Sequence, residues 1–144
     1  MDIAPCENPK GKPTVLIVED HEGVRTGLRE WLTSVFPDCC FLEAKSGEEA
    51  VTMARDHQPD VVLMDIVLPQ MSGIEATRHI KAAVPQAQVV ILTIYEGSMY
   101  QTQARAAGAT AYVPKRTMHR DLIPVISALL FYPVEPGPNN TRSG

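Results

Sequence analysis

Five polar side chains in this sequence, each at or just after the end of a short apolar segment, are of types that suit phosphate chemistry. They are Glu19, Asp20, Asp65, Thr93 and Lys115. Three carboxylates in one crevice repel each other, so at least one has a raised pKa unless a cation neutralises them. Carboxylate oxygens suit Mg²⁺, and a metal with a fixed lysine offsets the charge that develops on a phosphoryl group during transfer. The set predicts Mg²⁺-dependent phosphoryl transfer in which a carboxylate attacks in line and forms an acyl phosphate.

The apolar segments before these residues are the predicted strands. Short β-branched segments alternate with segments of helical periodicity, which indicates a parallel α/β sheet. The predicted strands are residues 14–18, 40–43, 61–64, 89–92 and 111–113. In an open parallel sheet, functional residues lie beyond the carboxyl ends of the strands, so the polar set should meet at one edge. Asp65 follows four apolar residues and needs a metal or another cation beside it.

Helix signals fill the segments between the predicted strands. A serine followed three residues later by a glutamate has the capping-box spacing that opens a helix, and the two such pairs are Ser46 with Glu49 and Ser72 with Glu75. Trp31 lies on the apolar stripe of the first helix and is expected in the core. Gly108 predicts the end of the fourth helix. The fifth helix contains Pro124, which is tolerated only near the first turn.

Composition limits the class of protein. The chain has 144 residues, of which 44% are hydrophobic and 21% charged, as in one soluble globular domain. The net charge of −4 argues against a broad nucleic-acid-binding surface. The longest apolar run has five residues, so we expect neither a membrane-spanning helix nor a signal peptide, and a cytoplasmic location. Three cysteines, Cys6, Cys39 and Cys40, indicate no disulfide framework.

Proline-rich ends flank the predicted domain. Three of the twelve prolines lie in residues 1–13 and three in residues 133–144. We therefore predict a flexible N-terminal tail over residues 1–12, one domain over residues 13–132, and a linker or C-terminal tail over residues 133–144.

At these residues the sequence resembles the receiver domain of two-component response regulators, over about residues 13–132. The segments that carry the resemblance are Val18-Glu19-Asp20-His21, Met64-Asp65-Ile66-Val67-Leu68-Pro69, Met71-Ser72-Gly73, Leu92-Thr93 and Tyr112-Val113-Pro114-Lys115. The resemblance implies a flavodoxin-like, doubly wound sheet of five parallel strands in the order 2-1-3-4-5.

The resemblance also implies the roles of the acidic residues. Asp65 would accept a phosphoryl group from a phosphohistidine of a sensor histidine kinase. Asp20 and Asp65 would bind Mg²⁺ directly, the Val67 backbone carbonyl would be a third ligand, and Glu19 would act through water.

Lys115, Thr93 and Tyr112 complete the implied site. Lys115 would contact a phosphoryl oxygen and the Asp65 carboxylate. Thr93 would move to hydrogen-bond the phosphoryl group, and Tyr112 would rotate inward behind it. Such a chain is a signalling phosphoacceptor that assists its own phosphorylation and dephosphorylation, rather than an enzyme with a separate substrate.

The segment from His21 to Leu28, including Val24 and Arg25, resembles receivers that precede a LuxR-type helix-turn-helix. We therefore expect control of transcription through a DNA-binding domain outside this chain, with possible homodimer formation on phosphorylation and no membrane partner. The alternative is a stand-alone or degenerate receiver that acts as a protein-interaction module. Two residues depart from the family pattern: Ile94 replaces a small residue, and Arg116 rather than proline follows Lys115.

Two other classes share parts of the pattern. A flavin or nucleotide binder needs a glycine- or serine-rich loop after the first strand, where this chain has acidic residues that repel phosphate. A phosphatase with an aspartate nucleophile would usually have a second acid at the position of Val67. Both classes are disfavoured.

Overall fold

Alternating strands and helices make up the part of the chain that the computed structural model describes, residues 11–131. The strands are β1 Thr14–Val18, β2 Cys40–Ala44, β3 Val61–Met64, β4 Gln88–Thr93 and β5 Ala111–Pro114. The helices are α1 Glu22–Val35, α2 Gly47–His57, α3 Gly73–Ala83, α4 Ser98–Ala107 and α5 Met118–Phe131, with a 3₁₀ turn at Lys115–Thr117 before α5. The tails predicted over residues 1–12 and 133–144 fall almost wholly outside the described residues.

The five strands form one parallel sheet in the order β2-β1-β3-β4-β5, so the fold prediction is confirmed. Three strands are longer than predicted. The strand β4 includes Thr93 because that residue still pairs with Pro114 of β5. Proline is compatible with this position because β5 is an edge strand, where its missing N–H removes no ladder bond on the open side.

Helices cover both faces of the sheet, and successive strand residues point into two separate cores. On one face, α2, α3 and α4 pack on Leu16, Val18, Val62, Met64, Val89 and Ile91. On the other face, α1 and α5 pack on Val15, Ile17, Val61, Leu63, Val90 and Leu92. This double burial explains why residues 15–18, 61–64 and 89–92 of the central strands are apolar at every position.

The predicted helix starts are confirmed. The Glu49 amide donates to Ser46 Oγ at 3.0 Å, and the Glu75 amide donates to Ser72 Oγ at 3.1 Å. The Glu49 side chain also turns back over the start of α2, where Oε1 accepts from the amide of Lys45, the residue before the N-cap, at 2.9 Å. Gly108 ends α4 with φ of 109°, a left-handed conformation that glycine adopts without strain.

Three structural expectations need correction. Pro124 lies in the second turn of α5, beyond the first-turn position expected of it, and cannot donate to the Arg120 carbonyl. Trp31 is only half-buried, and its ring lies 5.1 Å from that of His119 where α1 meets α5. Cys40 is disulfide-bonded and Cys39 is free, whereas the sequence indicated no disulfide framework. Cys6 lies outside the described residues.

No helix within residues 11–131 is long and apolar enough to cross a membrane.

Candidate functional site

The three predicted carboxylates meet at the carboxyl ends of β1 and β3. Val18 and Met64 are partners in these adjacent strands, so Glu19 and Asp65, which come next, also lie side by side. The Asp65 amide still donates to the Val18 carbonyl at 3.2 Å. One carboxylate oxygen from each of Glu19, Asp20 and Asp65 lies within 4.8 Å of the other two. Glu19 and Asp65 are buried whereas Asp20 is exposed, so the cluster opens to solvent at Asp20.

Lys115 is the cation of this cluster. Its Nζ lies 2.8 Å from Glu19 Oε1 and 3.1 Å from Asp65 Oδ2. Because β4 separates β5 from β3, Lys115 reaches Asp65 only through the full length of its side chain. The contact with Asp65 was expected, but the direct ion pair with Glu19 was not. One ammonium faces three carboxylates, so the ionised group has an excess of negative charge that can hold a further cation.

The environment of Asp65 raises the pKa of its carboxyl group. Burial raises the pKa of Asp65 above its ordinary value, and the neighbouring Glu19 charge raises it further. The Lys115 charge and the Val67 amide, which donates to Asp65 Oδ1 at 3.2 Å, lower the pKa without cancelling the rise. This meets the expectation that one of three clustered carboxylates has a raised pKa.

Lys115 stays charged in the same environment. Burial alone would lower its pKa. Its hydrogen bond to Glu19 and the charges of Asp65 and Glu19 outweigh burial, so the pKa of Lys115 is raised above its ordinary value. The ammonium is therefore a fixed positive charge at the end of the sheet at neutral pH.

The raised pKa of Asp65 predicts a pH-dependent difference between the wild type and Asp65→Asn without metal. The folded state binds this proton more tightly than the unfolded state, so the stabilisation is present below the ordinary pKa of 3.8 and is lost as pH rises through the raised value. The free energy of unfolding of Asp65→Asn, measured by urea titration in EDTA, should increase relative to that of the wild type as pH rises above the ordinary pKa of 3.8.

A control variant at another acidic residue should show the opposite dependence of the free energy of unfolding on pH. Arg120 lowers the pKa of Asp121, so the stabilisation from that carboxylate is present at neutral pH and is lost as pH falls through the lowered value. The free energy of unfolding of Asp121→Asn should therefore fall relative to that of the wild type as pH rises. The fall should be small, because the Arg120–Asp121 pair is exposed. Equal slopes for the two variants would contradict the assignment of a desolvated acid at Asp65.

Thr93 and Tyr112 both contact the loop between β4 and α4. Thr93 is fully buried at the end of β4, and its Oγ1 accepts a hydrogen bond from the Tyr95 amide at 3.3 Å. Tyr112, which is half-buried on β5, donates its hydroxyl to the Tyr95 carbonyl at 2.6 Å. The Tyr95 ring stacks on that of Tyr100 of α4 at 4.7 Å. These hydrogen bonds join the two residues to one loop rather than to the carboxylates.

A second ion pair joins the same loop to the turn after β5. Arg116 Nε and Nη2 each lie 2.9 Å from one carboxylate oxygen of Glu96. The sequence pointed to Arg116 as unusual but did not predict its partner, because no periodicity connects residues 20 positions apart on two loops. Both side chains are exposed, so the pair contributes little to the free energy of unfolding.

Gly73 positions Asp65 through its lack of a side chain. The Gly73 amide donates to the Ile66 carbonyl at 2.9 Å, which brings the start of α3 against the backbone after β3. A Cβ atom at Gly73 would lie 1.9 Å from the Asp65 carbonyl oxygen, far inside van der Waals contact. Only glycine fits here, and the motif Met71-Ser72-Gly73 was the signal for it in the sequence.

Gly73→Ala should therefore displace the backbone that carries Asp65. We expect a loss of about 1–3 kcal/mol in the free energy of unfolding, because the added methyl group overlaps a backbone atom that cannot rotate away. Gly27→Ala is the matched control, since a Cβ there meets nothing within 4 Å. In the interior of α1 that change should raise stability by about 0.5–1 kcal/mol. Urea unfolding of both variants tests this, and a stable Gly73→Ala protein would contradict it.

A known protein family matches most of this chain. Residues 15–127 match the response regulator receiver domain family. The chain is 36% identical over 112 residues to the response regulator GacA of Pseudomonas aeruginosa, covering 78% of this chain and 52% of that protein. It is 37% identical over 108 residues to the response regulator protein VraR of Staphylococcus aureus, covering 75% of this chain and 52% of that protein. The chain thus spans about half the length of these curated relatives.

Solved structures agree with the sequence relatives. A two-component response regulator of the LuxR family from Aurantimonas superposes with a TM-score of 0.77 at 35% identity, covering 83% of this chain and 85% of that one. The response regulator domain of Thermotoga maritima CheB superposes with a TM-score of 0.72 at 27% identity, covering 83% and 94%. The family match, the sequence relatives and the shared fold together show that this chain belongs to the response regulator receiver domains of two-component systems.

Proposed function

We propose that Asp65 is the phosphoacceptor of this receiver domain and takes its phosphoryl group from a phosphohistidine of a sensor histidine kinase. One Asp65 carboxylate oxygen attacks phosphorus, the bond from phosphorus to the histidine nitrogen breaks, and that nitrogen keeps the electron pair. The product is an acyl phosphate on Asp65. The observation that supports this role is the convergence of Glu19, Asp20 and Lys115 on one buried aspartate.

The carboxylates suit a divalent cation. The excess of negative charge and the exposed position of Asp20 fit Mg²⁺, which binds proteins through one or two carboxylates and keeps several waters. Asp20 and Asp65 would be direct ligands, with the Val67 backbone carbonyl as a third and Glu19 acting through water. The contact of Glu19 with Lys115 at 2.8 Å supports an indirect role for that carboxylate. When bound, the ion neutralises charge on the phosphoryl oxygens.

Lys115 supplies a positive charge that the protein itself fixes in place. The ammonium already touches Asp65, so it needs little movement to reach an oxygen of a phosphoryl group on that residue. Glu19 holds Lys115 from the other side, which keeps the ammonium at the acceptor while the charge on Asp65 changes. Such a preorganised charge costs no rearrangement at the moment of transfer.

Thr93 and Tyr112 form the proposed switch. Thr93 would leave the Tyr95 amide to hydrogen-bond the phosphoryl group, and Tyr112 would leave the Tyr95 carbonyl and rotate inward. The result would be a change in the face formed by α4, β5 and α5, driven by a local change of charge. Support comes from the position of both residues on the same loop.

The output and assembly of the whole protein are part of the proposal. The matched segment covers only about half of curated relatives such as GacA, and the similar proteins include a transcriptional regulatory protein and a LuxR-family response regulator. We propose that this chain controls transcription through a LuxR-type DNA-binding domain outside it. A homodimer on phosphorylation, a cytoplasmic location and the help that the domain gives to its own phosphorylation and dephosphorylation rest on the family resemblance.

Intact mass spectrometry tests the central claim. The protein is incubated with a small phosphodonor, such as phosphoramidate, once with Mg²⁺ and once with EDTA. We expect the mass of one added phosphoryl group with Mg²⁺ and no change with EDTA. An unchanged mass in both reactions would overturn the phosphoacceptor role and favour a protein-interaction module. Equal phosphorylation in EDTA would leave the acceptor in place but overturn the metal role.

A further inference from the structure

Arg25 of α1 holds the backbone of the loop that carries the acidic residues. Its side chain is only 14% exposed. The guanidinium Nη1 donates to the Glu19 carbonyl at 2.9 Å, and Nε donates to Glu43 Oε1 at 3.0 Å. One rigid group therefore connects α1, the end of β1 and β2. The sequence pattern around His21 and Arg25 suggested a subfamily, but nothing in the phosphoacceptor role uses this arginine.

The Glu19 carbonyl belongs to the peptide unit that leads directly to Asp20. A peptide unit is planar, so the direction of that carbonyl determines where the Asp20 Cα and its side chain lie. The other side of Glu19 is held as well, because its amide donates to the Ala44 carbonyl at 3.1 Å. Arg25 is thus the group that fixes the rotation of the Glu19–Asp20 peptide unit.

Charge alone would make Arg25 unhelpful at this position. A guanidinium near a cation site repels the cation, so its contribution to binding must be geometric. Glu43 offsets that charge through Oε1 and at the same time contacts Arg29 through Oε2. The pair with Glu43 also orients the guanidinium, since the fork of an arginine points its two donors in fixed directions.

We propose that Arg25 is a positioning residue of the cation site, which holds the Glu19–Asp20 peptide unit so that the Asp20 carboxylate stays beside Asp65. This inference rests on the proposed Mg²⁺ role of the cluster and adds a residue that does not itself touch the ion. Groups around a metal site that orient its ligands commonly affect metal affinity about tenfold or more.

Arg25→Lys and Arg29→Lys form a matched pair of variants. Both keep the positive charge, and both residues contact Glu43, but only Arg25 bonds the Glu19 carbonyl. A lysine has no rigid fork and cannot serve both acceptors of Arg25 in the same way. The dissociation constant for Mg²⁺, measured by calorimetry without a phosphodonor, should rise about tenfold in Arg25→Lys and stay within about twofold of the wild type in Arg29→Lys.

A spectroscopic signature separates positioning from general stability. A donor on the Glu19 carbonyl polarises the peptide unit whose nitrogen belongs to Asp20. In metal-free protein, the Asp20 amide nitrogen resonance should therefore move in Arg25→Lys and not in Arg29→Lys. If Arg25→Lys does not fold, Glu43→Gln should move the same resonance, whereas Glu48→Gln, which removes an equal charge at an exposed position of α2, should not.

The outcomes distinguish this inference from the proposed function. Unchanged Mg²⁺ affinity and an unmoved Asp20 resonance in the Arg25 variant would overturn the positioning role and leave phosphorylation of Asp65 intact. Equal weakening in the Arg29 variant would also overturn it, because Arg29 does not contact Glu19. A wild type that binds no Mg²⁺ would overturn both the positioning role and the metal role.

Discussion

Asp65→Asn should abolish phosphorylation of this domain while leaving the fold intact. Asparagine keeps the shape of the side chain and can still accept a hydrogen bond from the Val67 amide, but it lacks the nucleophilic carboxylate. The raised pKa of Asp65 indicates that the carboxylate is costly to the fold at neutral pH, so its removal should not unfold the protein. Intact mass after incubation with phosphoramidate and Mg²⁺ measures the loss, and urea unfolding checks the fold.

Asp60→Asn is the matched control for this change. Asp60 lies just before β3, at the opposite end of the same strand, where Oδ2 accepts from the Thr14 amide at 2.9 Å. Asparagine can keep that bond through its side-chain oxygen. We expect normal phosphorylation of Asp60→Asn. Phosphorylation that survives in Asp65→Asn, or that is lost equally in both variants, would show that the acceptor lies elsewhere.

Lys115→Met should slow phosphorylation by about 10²–10³-fold, the effect typical of removing one preorganised charge or donor. Methionine has a similar length but no charge, so Glu19 and Asp65 lose their common counter-ion. The pKa of Asp65 should rise further, because the Lys115 charge opposes the rise caused by burial in the wild type. The measurement is the initial rate of phosphoryl gain from a small donor, followed by mass over a range of pH.

The neighbouring cation gives the control. Arg116→Met removes the same charge one residue later, but Arg116 is 69% exposed and pairs with Glu96 rather than with the acidic cluster. Its phosphorylation rate should stay within about threefold of the wild type, because an exposed charge is screened by solvent. Similar losses in the two variants would mean that net charge, rather than contact with Asp65, explains the effect.

The sequence could predict which residues meet because a parallel sheet leaves few choices. Residues that follow adjacent strands must lie at the same edge, so Glu19 and Asp65 come together once β1 and β3 pair. The apolar composition of those strands also made their burial, and hence the raised pKa of Asp65, predictable.

Contacts between side chains from distant segments were not predictable in the same way. Lys115 pairs with Glu19 across 96 positions, and the choice between that pair and other partners depends on how the side chains fill the site. Arg25 reaches the Glu19 carbonyl because α1 packs beside β1, which no pattern in the sequence specifies. The expectation for Pro124 considered only the local cost of a proline inside a helix. Burial of Leu122 and Ile126 on either side of Pro124 stabilises the helix in spite of that cost.

Tyr95 is hydrogen-bonded to both residues of the proposed switch: its amide donates to Thr93, and its carbonyl accepts from Tyr112. If Thr93 turned toward a phosphorylated Asp65, as proposed, Tyr95 would lose the hydrogen bond between its amide and Thr93, and the carbonyl that accepts from the Tyr112 hydroxyl would be less restrained. The two proposed movements would therefore be linked through Tyr95. The response of the domain should therefore be cooperative, passing between two states without stable intermediates, rather than graded.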